Sequence, residues 1–148
     1  MNRILKRLNK KASFKRIAND KDNFIQECEN SGKFDDKQLD IIRYGFESGL
    51  TIEQVKVYAN PDFDYEQMLE ICWGFMNDLT MEQVKFYANP KFDDDQMREI
   101  RYGFDDGLTM EQVKLYADPK FSYKQMGKIC KDLEKGLTIE EVKDKYNL

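Results

Sequence analysis

The chain has 148 residues, no histidine, three cysteines, and 24 basic against 28 acidic side chains, a formal net charge of −4. No stretch approaches the roughly 20 apolar residues of a membrane span, and the basic start lacks the apolar core of a signal peptide. Absence of histidine removes the commonest general base and nitrogen metal ligand, and three cysteines cannot form a disulfide framework, so a reduced, cytoplasmic chain is expected.

Residues 1–17 carry seven basic side chains (Arg3, Lys6, Arg7, Lys10, Lys11, Lys15 and Arg16) and no acid, whereas the remainder carries 17 basic and 28 acidic residues. A basic head therefore precedes an acidic body. One reading is a solvated helix with Ile4, Leu5 and Leu8 docked on the first repeat. The other is contact with phosphates or with an acidic partner surface. Ser13 and Asp22 are candidate helix caps, and Phe14, Ile17, Phe24 and Ile25 are apolar, so residues 1–32 are expected to form a non-repeating helical cap.

From Lys33 the sequence repeats every 29 residues without insertion, as units 33–61, 62–90, 91–119 and 120–148. Each unit has two helix-start signals. At the first, Asp35, Asp64, Asp93 and Ser122 are N-caps, followed three residues later by Gln38, Gln67, Gln96 and Gln125. This is a capping box, in which the two side chains satisfy backbone N–H groups reciprocally, and the preceding Phe34, Phe63, Phe92 or Phe121 staples onto the residue five positions on. At the second, Thr51, Thr80, Thr109 and Thr138 are capped back by Gln54, Gln83, Gln112 and Glu141.

Each unit thus predicts a helix A of about 13 residues, a tight turn and a helix B of about 8. Gly49, Gly107 and Gly136 suit the left-handed position after helix A, which Asp78 takes in the second unit. Pro61, Pro90 and Pro119 end helix B, because proline has no N–H for the ladder. The expected fold is all-α: a right-handed-type α-solenoid of four 29-residue helix-turn-helix repeats, residues 33–148, behind an N-terminal helical cap.

The helical period assigns Leu39, Ile42, Phe46, Val55, Tyr58 and Ala59, with their equivalents, to the core. Gly45, Gly74 and Gly103 fall inside helix A, where glycine costs about 1 kcal/mol relative to alanine; recurrence there predicts a close helix approach. The fourth unit has Asp132 and Lys145 at the Gly and Tyr positions, as expected of a terminal unit facing water. Cys72 and Cys130 are equivalent positions two units apart, beyond the roughly 7 Å reach of a disulfide.

A binding surface is sought where the units differ. One helix-A ridge reads Asp36, Asp40, Tyr44, Glu47 in the first unit and Asp94, Arg98, Tyr102, Asp105 in the third, but Tyr65, Leu69, Trp73, Met76 in the second. Tyr44, Trp73 and Tyr102 then form an aromatic row across neighbouring helices, and Tyr and Trp are favoured interface anchors. The competing reading makes this flank an inter-repeat seam. Recurring acids could also imitate nucleic-acid phosphates, but Asp35, Asp64 and Asp93 are already used as N-caps.

No nucleophile motif or Gly-rich phosphate loop is present. Asp62-x-Asp64-x-Glu66 and Asp93-Asp94-Asp95 lack the glycine and distal Glu of a calcium loop. Catalytic residues, metal ligands and a cofactor are therefore not expected.

Residues 92–119, from Phe-Asp-Asp-Asp-Gln-Met through Leu-Thr-Met-Glu-Gln-Val to Tyr-Ala-Asp-Pro, resemble a short helical-hairpin repeat of uncharacterised proteins in low-GC Gram-positive bacteria, their phages and mobile elements. The resemblance covers the four units and leaves residues 1–32 outside. It implies a bacterial host cell and a protein partner, with a CRISPR effector or other defence nuclease as the expected class and an anti-CRISPR-like inhibitor as the expected role. The alternatives are a nucleic-acid-binding accessory protein using the basic N-terminus, and a homo-oligomer built through the aromatic patch.

Overall fold

The eight helix starts expected from the sequence all form in the computed structural model, which describes residues 3–148. Met1, Asn2 and the side chains of Arg3 and Ile4 lie outside the described residues. At the first start, the Asp35 carboxylate accepts from the Gln38 N–H at 2.8 Å, while Gln38 Oε1 accepts from the Asp35 N–H at 2.9 Å. The same reciprocal box opens every later helix.

Among the described residues the chain is entirely helical, without strands. α1 (Arg3–Ser31) leads into four A helices, α2 (Asp36–Glu47), α4 (Tyr65–Met76), α6 (Asp94–Asp105) and α8 (Tyr123–Glu134). The B helices are α3 (Ile52–Tyr58), α5 (Met81–Tyr87), α7 (Met110–Val113) and α9 (Ile139–Tyr146). α7 is shorter than expected because its last turn tightens, with the Leu115 N–H bonded to the Gln112 carbonyl at 3.1 Å.

Each A helix stops in a Schellman turn. The Leu50 N–H reaches back to the Gly45 carbonyl at 3.0 Å and the Gly49 N–H to Phe46 at 3.1 Å. This turn needs a left-handed residue, and Gly49 has φ 93° while Asp78 takes φ 63° in the second unit. After each of α3, α5 and α7 the Asx side chain before proline closes the next turn. Asn60 Oδ1 accepts from the Asp62 N–H at 3.0 Å, and Asn89 and Asp118 do the same.

The A helices lie side by side, with α1 continuing the row beside α2; α3 packs on α2 and α4, and α5 on α4 and α6. Ile42, Val55, Tyr58, Met68, Ile71 and Val84 are fully buried between them, each worth about 1.5–3 kcal/mol of transfer free energy. The glycines of helix A have a specific reason. The Tyr58 hydroxyl donates to the Ile41 carbonyl at 3.2 Å and Tyr87 to Glu70 at 3.0 Å, so that a Cβ at Gly45, Gly74 or Gly103 would collide with a tyrosine hydroxyl.

The fourth unit departs from expectation at this point. Asp132 is not a solvent-facing change but a buried one, and it accepts from Lys145 at 2.7 Å and from Tyr146 at 2.6 Å. An Asp–Lys pair thus replaces the Gly–Tyr contact. α1 also corrects the sequence reading. It runs unbroken through Ser13 and Asp22, so neither is a cap, and it docks only through its second half. There Phe24 meets Phe46 edge-on at 5.9 Å, Cys28 is buried, and Glu29 pairs with Arg43 at 2.6 Å. Leu5 and Leu8 are 52% and 56% exposed, so the head is not docked on the first unit through them.

Candidate interaction surface

The ridge sits at the outer edge of the seams between A helices. Tyr44, Met76 and Tyr102 are exposed, and Tyr65, Leu69 and Trp73 are half-buried, with Tyr65 and Leu69 resting on the core. None of the six is fully buried. Trp73 belongs partly to both sequence readings, because it is half-buried while bordering the α4–α6 seam.

That seam is charged, which the sequence reading missed. Glu70 is 2% exposed and grips two arginines of α6, through Arg98 Nε and Arg101 Nε, each at 3.0 Å. Arg101 also donates to Asp105 at 3.0 Å, which in turn accepts from Asn77 at 3.0 Å. Arg98 is fixed further by Asp95 at 2.7 Å. A buried charge of this kind survives only when paired and hydrogen-bonded. The Arg101 guanidinium carbon lies 5.7 Å from the Trp73 ring centroid and 4.8 Å from that of Tyr102. The cation therefore spans two rings of the row and holds them in place.

This cluster also accounts for much of the acidic charge near the ridge. Asp94, Asp95 and Asp105 are engaged by Arg98 and Arg101, and Asp40 by Arg43, while Asp35, Asp64 and Asp93 are tied up as caps. A regular array of free carboxylates, as phosphate imitation needs, is not what these side chains form. Asp36, Glu47, Glu66 and Asp106 are exposed and carry no ion pair among the described residues.

The basic head is the second exposed surface. Lys6, Arg7, Lys10, Lys11, Lys15 and Arg16 are exposed along the free half of α1, as are Phe14 and Ile17; the Arg3 side chain is outside the described residues. The two surfaces are separate and do not converge.

The remaining reactive groups are sealed. Cys28, Cys72 and Cys130 are free and buried. Burial raises all three thiols, Cys130 to about 12 with the help of the Glu134 carboxylate that accepts its S–H. Burial likewise lifts Tyr58, Tyr87 and Tyr116 above the usual phenol range. Among the described residues no three Cys, Asp or Glu side chains cluster as a metal site, and no helix is long and apolar enough to cross a membrane.

What the described residues define is an all-helical protein with an aromatic ridge braced by a buried arginine, and a basic half-helix projecting from one end. No family model, curated protein or solved structure matches the chain.

Proposed function

We propose that the chain is a non-catalytic protein–protein interaction module. In this reading the helix pairs stack as a right-handed-type α-solenoid of four 29-residue repeats, and the Tyr44/Tyr65/Leu69/Trp73/Met76/Tyr102 ridge receives a protein partner. The observation that carries it is the Trp73–Arg101–Tyr102 stack, in which a half-buried Trp73 and an exposed Tyr102 are held by a buried cation. Anchors fixed before binding lose little conformational freedom on association, and Trp, Tyr and Arg are the side chains that dominate interface energetics.

The repeat resemblance adds a class of partner, a CRISPR effector or another defence nuclease, with inhibition by binding and blocking. Plasmid survival under CRISPR or nuclease attack tests this, with wild type beside Trp73→Ala and Tyr102→Ala. Wild type restores survival in at least one defence background, and both variants lose that protection while keeping helicity and melting. Unprotected plasmids in every background would discard the inhibitor. Protection that survives both substitutions would discard the ridge.

The exposed basic half-helix favours a second reading, a nucleic-acid-binding accessory protein. It predicts affinity that falls steeply with salt as phosphate counterions are released. Binding that is absent, or indifferent to salt, removes it.

A further inference from the structure

The free half of α1 has no neighbour within its own chain. α1 runs antiparallel to α2, with Ala18, Lys21 and Asp22 beside Phe46 and Glu47 and with Glu29 beside Arg43. Residues 5–17 therefore extend past the C-terminal end of α2. No break occurs between Arg3 and Ser31, so the half-helix cannot fold back onto its own ridge.

Its surface is basic all round and carries exposed apolar side chains on opposite sides, Leu5 and Leu8 on one and Phe14 and Ile17 on the other. At 100° per residue, Leu5, Leu8 and Ala12 share one stripe, edged by Lys11, Lys15 and Arg16. Leu5 and Leu8 are more than half exposed. Phosphate binding would explain the cations but leaves this apolar stripe in water. A surface that matches both is an apolar strip with a carboxylate rim.

The chain carries such a surface. Units 62–90 and 91–119 together hold 14 acids and only 5 basic residues. The ridge on α4 is apolar from Tyr65 to Met76, with unpaired Glu47, Glu66 and Asp106 around it. Dimensions agree as well. Residues 3–19 of α1 measure about 25 Å at the usual helical rise, and a row crossing three neighbouring helices spans about 16–20 Å.

We infer that the ridge receives the basic half-helix of a second copy of this chain, Leu5 and Leu8 resting on the Trp73–Met76 strip and the flanking cations meeting the acidic rim. The inference rests on reading the ridge as a binding surface. The contact joins two different patches, so each copy offers one donor and one acceptor. A basic helix already present in every copy would then compete with any other protein for the ridge.

Sedimentation velocity of the full chain, over a range of concentrations in low and in molar salt, tests this. Wild type self-associates in low salt and dissociates as salt screens the charges. Full-length Leu5→Asp/Leu8→Asp and full-length Trp73→Ala each weaken association about tenfold or more, equivalent to about 1.4 kcal/mol. Mixed together, the two variants pair one to one, because one supplies an intact ridge and the other an intact head. Persistent association in either single variant, or no pairing in the mixture, overturns the inference. So does a monomeric wild type whose head instead binds duplex DNA or anionic vesicles. If the chain is monomeric but Trp73→Ala still abolishes plasmid protection, the head-to-ridge contact falls and the ridge reading stands. If Trp73→Ala changes neither assay, both fall.

Discussion

Glycine at position 74 is held there by an oxygen atom. The Tyr87 hydroxyl lies over the α4 backbone, where it donates to the Glu70 carbonyl, and it occupies the space a Cβ would need. Gly74→Ala should therefore destabilise by about 1–3 kcal/mol in urea titration, despite alanine's better helix propensity. Adding Tyr87→Phe should restore part of that loss, since it removes the colliding atom; an unchanged midpoint for Gly74→Ala would mean the contact is looser. Glu99 is governed by electrostatics. Burial lifts its carboxyl above the ordinary range, while Lys131 and Arg98 pull it back, and its Oε2 sits against Gly127, where a Cβ would come within 2.9 Å. A raised folded pKa means the fold favours the protonated form, so its contribution is present below the unfolded pKa and lost as pH rises through the folded one. Glu99→Gln should accordingly raise Tm at pH 7 and leave it nearly unchanged near pH 4. A lower Tm at pH 7 would show that attraction to Lys131 and Arg98 outweighs burial. Asp132 runs the other way. Hydrogen bonds from Lys145 and Tyr146 hold it below the usual carboxylate range, so its contribution is lost only in acid.

At the scale of the helix, one side chain serves two purposes. Gln67 closes the box that starts α4 and also donates from Nε2 to the Phe92 carbonyl of the next unit at 2.6 Å; Gln38 and Gln96 reach Phe63 and Phe121 in the same way. Gln125 closes its own box but stays exposed. Gln67→Ala should thus cost about 1–3 kcal/mol, because it leaves a buried carbonyl without its partner, and Gln125→Ala only about 0.5–1 kcal/mol, as a cap change. Equal losses in chemical denaturation would assign the bond between units no weight. The contrast also explains what could be read in advance. Capping boxes and the left-handed Asp78 were legible because each is specified within a few residues, and the glycines of helix A because they recur in three units. The bond from Gln67 to Phe92 joins positions 25 apart, and Glu70 stands at a position that reads Ile41, Glu99 and Lys128 in the other units, so nothing local marks it as buried. The helical period puts the ridge residues on one flank, but it does not point to the arginine beneath them, since its partner lies on another helix. For α1 the signal was present but outweighed. Ser13 and Asp22 look like caps, whereas the absence of Gly and Pro before residue 32 means nothing stops the helix.

Across the whole molecule, the contacts between neighbouring units fall into two kinds. Glutamine-to-carbonyl bonds recur from unit to unit, but the Glu70–Arg98–Arg101 cluster occurs once, between α4 and α6. If the units stack as proposed, stability is close to a sum of units and of the contacts between neighbours, and this one seam would decide which neighbours are interchangeable. Position 70 corresponds to Glu99 in the third unit, while positions 98 and 101 correspond to Leu69 and Cys72 in the second. Copying residues 91–119 in tandem would set the first Glu99 against a new pair of arginines and leave only the second Glu99 as it stands in the parent. Copying residues 62–90 would face the first Glu70 with leucine and cysteine, burying a lone carboxylate at a cost of about 3–5 kcal/mol. Melting the two five-unit chains side by side would show it, the first at least as stable as the parent and the second clearly less so. On that expectation the chain would lengthen by internal duplication at one of these two units and not at the other, so that a single buried ion cluster would fix the order in which its parts can be read.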